Sequence, residues 1–193
     1  EFFHTIQLGS GDGAWATEGS ADWAIDSLYT EADTYAGDGY VESIPEYLDR
    51  PNLQKWDDIN KTFTLGGLTE AGYGADIWWK YVGEQYGTVR TEPETGIDIP
   101  RDFWSNTPNT VGVDAMNAVL ATRGTDMRSV FRDFVVANYT KQLDTTGLAA
   151  KYFYLDEKEG GSPPYPLVYV ETTDVLGAGS TVVHSQALAS WGA

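Results

Sequence analysis

The sequence predicts a mainly α-helical chain that ends in a short β-rich segment. Apolar residues recur at helical spacing through residues 1–147, in stretches bounded by capping residues and glycines. After Gly147 the pattern changes, because the breaker cluster GGSPPYP precedes LVYVETT and STVVHS, which have the β-branched content of strands. We therefore expect a helical subdomain over residues 1–147 and a β-strand-rich segment over 148–193, the start of a following β domain.

The first expected helices lie in the N-terminal third of the chain. Residues 1–7 are expected to be the tail of a helix, and the next helix is expected to use Thr17 as its N-cap. Its apolar residues recur at helical spacing: Ala21, Ala24, Ile25 and Leu28. The capping box S-I-P-E predicts a further short helix that Pro51 ends, and residues 52–68 are expected to be irregular.

The middle of the chain predicts one helix followed by a long loop. TEAGYGADIWWKYVGEQYG is expected to be helical from Thr69 to a stop at Gly87, with Tyr73, Ile77 and Tyr81 on one face. Residues 88–109 are expected to form a loop around a short DFW turn that borders the cleft. The loop is expected because four residues in this stretch disfavour helices and strands: Pro93, Gly96, Pro100 and Pro108.

Two helices are expected before the β-rich segment. VGVDAMNAVLATRG predicts a helix that ends at Gly124, and Thr125 is expected to cap the most regular helix of the chain. The apolar stripe of that helix follows i, i+3, i+4, i+7, i+8: Met127, Val130, Phe131, Phe134 and Val135. Arg128 and Arg132 fall outside the stripe.

Composition and charge exclude several functional classes. Acidic residues outnumber basic ones 29 to 12, giving a net charge of -17. Such a surface repels nucleic-acid phosphates and anionic membranes, so we expect neither partner, whereas it suits solubility in salt and cation binding. The chain has no Cys, which excludes disulfides, Cys-ligated zinc and thiol catalysis.

The opening residues EFFH carry the most specific chemical signal. Glu1 and His4 have the spacing of the last four positions of H-E-x-x-H, in which a glutamate acts beside histidines that bind one zinc ion. Glu18 follows fourteen residues after His4, where a helix folded back across a glycine-rich turn would supply a third ligand. Asp22 shares the helical face of Glu18 and could fix the ring of a ligating histidine.

EFFHTIQ followed by WATEGSADW resembles the gluzincin zinc metallopeptidases, which combine H-E-x-x-H with a downstream E-x-x-x-D. The similarity is greatest to secreted bacterial and archaeal members, and it covers about residues 1–140, with its specific part in the first 25. It implies the helical C-terminal half of a gluzincin-like catalytic domain. It also implies bound zinc, a peptide or protein substrate, and a secreted or cell-surface location.

The resemblance also assigns roles to individual residues. Glu1 would be the general base, His4 the second zinc ligand, Glu18 the third, and Asp22 the outer-shell partner of a ligating histidine. The first ligand would be the residue immediately before Glu1, which the sequence does not contain. Tyr73, 55 residues after Glu18, occupies the place of a family tyrosine that stabilises the oxyanion, although the Y-x-K-G form is not reproduced.

Simpler alternatives stand beside these roles. An acidic residue such as Glu18 is favourable in the first turn of a helix because of the helix dipole, without any metal. Tyr73 would be a structural residue that packs against its neighbours. His184 follows a strand pattern without acidic neighbours, so we interpret it as incidental. The tryptophans would form core or line a cleft, and core is favoured at helical spacing: Trp15, Trp23, Trp78, Trp79 and Trp104.

The acidic stretch DSLYTEADTYAGDGY at 26–40 raises the question of calcium. It carries four carboxylates: Asp26, Glu31, Asp33 and Asp38. Calcium needs six to eight converging oxygens, and the spacing does not match an EF-hand loop, so we expect a solvated acidic face, with a calcium site as the alternative.

A different class of function is open for the whole chain. It would be a non-catalytic structural protein of an extracellular surface or filament, derived from a peptidase fold. The strong negative charge and the strand-rich end favour it, and exposed strands in 166–193 would pair between subunits. Zinc content separates this class from the peptidase.

Overall fold

The computed structural model describes the following residues: 4, 7, 13–28, 55–57, 62–64, 67–91, 94–106, 110–140, 149–152 and 154. The described part is mainly α-helical, as the sequence predicts. Its helices are α1 (Ala14–Leu28), α2 (Asp76–Tyr86), α3 (Asp98–Asn106), α4 (Gly112–Ala121) and α5 (Met127–Thr140). Short 3₁₀ turns lie at Leu68–Glu70, Gly72–Ala75 and Ala150–Tyr152. Among the described residues, no helix combines the length and apolar character needed to cross a membrane.

Helix α1 begins earlier than the sequence predicts. Thr17 is not its N-cap but lies inside the helix, where its hydroxyl donates to the carbonyl of Gly13 at 3.4 Å. The helix starts after Gly13, which adopts a φ of 76° and accepts the backbone N–H groups of Ala16 and Thr17. Burial of Trp15 in the core favours this earlier start. Glu18 consequently lies in the second turn of α1.

Helix α2 begins later than the sequence predicts and ends where expected. Two 3₁₀ turns occupy the segment after Thr69, because Gly72 has a φ of 56° that a continuous α-helix does not allow. Tyr73 therefore lies outside the α-helix. The predicted stop at Gly87 is confirmed, since its N–H bonds to the carbonyl of Gly83 at 2.9 Å.

Helix α3 replaces the loop expected at 88–109. Pro100 is the third residue of this helix, where its missing N–H breaks no intrahelical bond. The turn before it crosses α2 so closely that a Cβ on Gly96 would lie 2.3 Å from the Cα of Gly83. Glycine is thus required at Gly96, whose φ is 76°, and the expectation of a loop bordering a cleft is wrong for residues 98–106.

Helices α4 and α5 follow the predicted pattern with one change of cap. The cap of α5 is Asp126 rather than Thr125, because Asp126 Oδ1 accepts the N–H of Ser129 at 3.0 Å. Gly124 has the left-handed φ of 75° expected at the end of the preceding helix. The predicted stripe is confirmed at its buried positions, Met127, Val130, Phe131 and Phe134, with Val135 half-buried and Arg128 and Arg132 exposed.

Residues 52–68 are not wholly irregular. Strand β1 (Lys55–Asp57) pairs antiparallel with strand β2 (Thr62–Thr64), and Trp56 is opposite Phe63 in the register. Aromatic and β-branched residues favour such pairing.

The tryptophans form the core, as predicted, and do not line a cleft. Trp15, Trp23, Trp78, Trp79 and Trp104 are each at most 5% exposed. Trp15 stacks on Trp79 with ring centroids 5.8 Å apart, and Phe103 meets both rings edge-on. The Trp79 indole also donates to the carbonyl of Trp15 at 2.9 Å, so α1 and α2 are joined by packing and by a hydrogen bond.

Residues after the last helix pack on the same core. Tyr154 is buried and its hydroxyl donates to Asn138 at 2.6 Å, while Lys151 pairs with Asp133 at 2.8 Å. The Tyr81 hydroxyl donates to the carbonyl of Lys151, and burial raises the pKa of that phenol. The packed core therefore includes Tyr154.

Several expectations lie outside the described residues. They concern Glu1, the helix near 43–51, the acidic side chains Asp26, Glu31, Asp33 and Asp38, and the strands and His184 after residue 154.

Candidate metal centre

The structure brings His4 and Glu18 together. The Nε2 atom of His4 lies 3.5 Å from Oε2 of Glu18, and the two side chains are 34% and 29% exposed. Because α1 starts at Ala14, Glu18 is beyond its first turn, which holds no acidic residue. The simpler alternative, an acid placed at the first turn by the helix dipole, is therefore wrong for Glu18.

Gln7 joins His4 to α1, a role that the sequence did not predict. Its Oε1 lies 2.6 Å from His4 Nδ1, and its Nε2 donates to the carbonyl of Thr17 at 2.8 Å and to Ser20 Oγ at 3.2 Å. The available signal was the spacing: Gln7 follows His4 by three residues, which places two side chains side by side on one helical turn.

The hydrogen bonds give the pair an unusual electrostatic arrangement. His4 Nδ1 faces an amide oxygen, which can only accept, so this contact is a hydrogen bond when Nδ1 carries the ring hydrogen. In the neutral ring with that tautomer, the lone pair of Nε2 faces the carboxylate of Glu18, and two acceptors face each other. The contact becomes favourable when a proton or a cation lies between them.

The separation of the two acceptors fits zinc. Nitrogen and oxygen ligands of a tetrahedral zinc ion, at bond lengths near 2.1 Å, stand about 3.4 Å apart. The observed 3.5 Å between Nε2 and Oε2 matches this value, and imidazole and carboxylate are ordinary zinc ligands. Within the described residues no group of three or more His, Cys, Asp or Glu side chains could hold a metal ion.

Asp22 and Tyr73 lie on α1 and on the turn that packs against α1. Asp22 is one turn after Glu18 and is buried. A Cβ on Gly19 would lie 2.9 Å from Ala75 Cβ and 3.2 Å from the Gly72 carbonyl, so the turn that carries Tyr73 packs on α1 at Gly19. Tyr73 is 36% exposed, which leaves its side chain accessible from solvent.

A second polar cluster in the described helices is built differently. The Asp98 carboxylate, 2% exposed, accepts the Thr88 N–H at 3.0 Å, the Thr88 hydroxyl at 2.9 Å and the Arg123 guanidinium at 2.9 Å. Arg123 also reaches Asp102 Oδ2 at 2.7 Å. Burial alone would raise the pKa of Asp98, but the hydrogen bonds from Thr88 and Arg123 outweigh it and lower the pKa from 3.8 to about 2.

No protein-family model matches the chain, and no solved structure matches it either. Membership of the gluzincins therefore remains a prediction that rests on the residues of the motif.

Proposed function

We propose that the chain is the helical half of a gluzincin-like zinc peptidase domain, followed by a β-rich segment at 148–193, and that it hydrolyses peptide bonds outside the cell. The observation that carries the proposal is the 3.5 Å separation of His4 Nε2 and Glu18 Oε2. Since Gln7 holds the Nδ1 hydrogen of His4, the remaining lone pair and the carboxylate converge on one point.

His4 and Glu18 would hold the zinc ion together with a histidine immediately before Glu1. When bound, zinc supplies Lewis acidity at a water molecule and at the substrate carbonyl. The partial exposure of His4 and Glu18 gives a peptide access to this point from solvent.

The remaining roles belong to side chains near the pair. Glu1 accepts a proton from the attacking water and passes it to the leaving amine nitrogen. The Tyr73 hydroxyl would donate a hydrogen bond to the oxyanion, a role consistent with its accessible side chain on the turn packed against α1 at Gly19. Because Gln7 already holds the ring hydrogen of His4, Asp22 would orient the other ligating histidine.

The test combines metal analysis with a base-deficient variant of the full-length protein. We expect one tightly held zinc ion per chain. Glu1→Gln should lower peptide cleavage by about 10² to 10⁴ because it removes the general base, while zinc content stays unchanged. The matched control is Glu94→Gln, the same substitution at an exposed loop position, which should alter neither quantity. If Glu1→Gln cleaved peptides at the wild-type rate, Glu1 would not be the general base.

The structural alternative makes the opposite prediction for zinc. A non-catalytic surface or filament protein, self-associating through exposed strands, would hold no zinc at His4 and Glu18. The same metal analysis also measures calcium content. Bound calcium would support a calcium site in the acidic stretch at 26–40, and its absence would support a solvated acidic face.

A further inference from the structure

The amide of Gln7 has an orientation that its partners determine. Its Nε2 lies 2.8 Å from the carbonyl oxygen of Thr17, which can only accept a hydrogen bond. Rotating the amide by half a turn would place Oε1 against that carbonyl and leave two acceptors in contact. The NH₂ group therefore faces α1, and Oε1 faces His4 Nδ1 at 2.6 Å.

The anchor of this amide is buried. Ser20 is fully buried and donates its hydroxyl hydrogen to the Ala16 carbonyl at 2.6 Å. Its oxygen accepts from Gln7 Nε2 at 3.2 Å and from the Trp104 indole at 3.3 Å, which occupies both of its lone pairs. The position of Gln7 is thus tied to the aromatic core, and the position of the His4 ring is tied to Gln7.

We propose that Gln7 is a positioning residue that holds His4 in the Nδ1-protonated tautomer, and that it thereby sets the zinc affinity of the His4–Glu18 pair. Free imidazole side chains favour the other tautomer, with the hydrogen on Nε2. In that tautomer the Nε2 hydrogen would point at Glu18 and occupy the position that a metal ion needs. The zinc part of this inference rests on the proposed function, whereas the tautomer part stands without it.

Nitrogen-15 NMR of the imidazole ring measures the tautomer directly. The sequence has two histidines, and comparison with His4→Gln, which removes one imidazole signal, identifies the signal of His4. At pH 8, without metal, we expect the Nδ1-protonated pattern. Gln7→Met, which keeps the length of the side chain and removes the amide, should shift the population towards the Nε2-protonated form. A predominant Nε2-protonated form in the parent chain would overturn the inference.

Zinc affinity, measured on the full-length protein by competition with a chromophoric chelator, tests the second half. Gln7→Met should weaken zinc binding by about 10- to 100-fold, the usual effect of removing the outer-shell partner of a ligating histidine. Gln85→Met, the same change on α2, should have no effect. Unchanged zinc affinity in Gln7→Met would overturn the positioning role. Absence of zinc binding in the parent would overturn the proposed function, and the NMR result would still decide the tautomer.

Discussion

The Asp98 cluster and the His4–Glu18 pair both place a carboxylate beside a basic side chain, but the hydrogen-bond partners of the two carboxylates differ. Asp98 is buried, and its carboxylate accepts hydrogen bonds from Thr88 and Arg123. Glu18 is partly exposed, and its Oε2 lies 3.5 Å from the Nε2 atom of His4, whose Nδ1 contacts the amide oxygen of Gln7. We call the first cluster closed, and under the proposed function the second is open to a cation.

Under the proposed function, this difference separates a structural polar cluster from a metal-binding one. A buried carboxylate that collects donors joins the elements that supply them, here the end of α2, helix α3 and the turn after α4. A partly exposed pair such as His4 and Glu18 contributes little to folding, and the proposal assigns it a metal ion. Substitutions in the closed cluster should therefore lower stability, and substitutions in the open pair should lower metal affinity.

The largest expected effect on stability follows from breaking the closed cluster. Arg123→Met leaves the buried Asp98 carboxylate without its cationic partner, which we expect to cost about 3 kcal/mol of unfolding free energy. Urea unfolding followed by circular dichroism measures the change.

Arg101→Met is the matched control for that variant. Arg101 pairs with Asp102 as Arg123 does, but its side chain is 66% exposed, so its loss should cost less than about 1 kcal/mol. Equal effects of the two substitutions would show that the cluster does not stabilise the fold through burial.

Low pH should remove the stability that the Asp98 cluster contributes. The folded-state pKa of Asp98 is about 2 and its ordinary value is 3.8, so its contribution is complete above about pH 4 and is lost as the pH falls towards 2. The shift corresponds to about 2 kcal/mol. The difference in unfolding free energy between pH 5 and pH 2 should therefore be smaller for Asp98→Asn than for the parent.

Asp126→Asn provides the comparison for the acid experiment. The pKa of Asp126 is also lowered, first by its hydrogen bond from the Ser129 backbone, but this carboxylate is fully exposed and asparagine caps helices equally well. Its pH profile should follow that of the parent. A parent-like profile in Asp98→Asn would contradict the role of Asp98.

The sequence predicted those features that depend on neighbours along the chain. The stripe of α5 and the stop at Gly87 follow from local spacing, and both are present. The sequence does not predict helix α3, because proline usually signals a break, whereas Pro100 lies in the first turn, where a helix tolerates it. It does not predict the start of α1 either, because that start depends on the burial of Trp15 against Trp79, a contact across 64 positions.

The same limit applies to the site. The spacing of His4 and Glu18 resembles a known motif, and it predicts their proximity. The role of Gln7 is not predicted, because its orientation depends on the Thr17 carbonyl and on Ser20, which the fold of α1 brings to it. A side-chain amide has no sequence signal of its own.

A smaller loss of stability is expected at the contact that supports the open pair. A Cβ on Gly19 would lie 2.9 Å from Ala75 Cβ, so Gly19→Ala must push α1 away from the turn that carries Tyr73. Overpacking of about 2 kcal/mol, offset by about 1 kcal/mol of gained helix propensity, gives a net loss near 1 kcal/mol. Thr17→Ala on the same helix gains propensity without a clash and should not destabilise. A stabilised Gly19→Ala would show that the turn does not pack tightly on α1.

The smallest effect on stability, and of opposite sign, is expected at the open pair itself. In metal-free protein, Glu18→Gln replaces the carboxylate that faces His4 Nε2 by an amide that can donate to this nitrogen. We expect unchanged stability or a gain of up to about 1 kcal/mol in urea unfolding, together with a loss of zinc affinity beyond 100-fold. Asp114→Asn, at an exposed first-turn carboxylate of α4, should instead lose a few tenths of a kcal/mol and leave zinc binding intact. Clear destabilisation by Glu18→Gln would mean that the Glu18 carboxylate serves the fold, and the distinction between a closed and an open cluster would fail where it matters most.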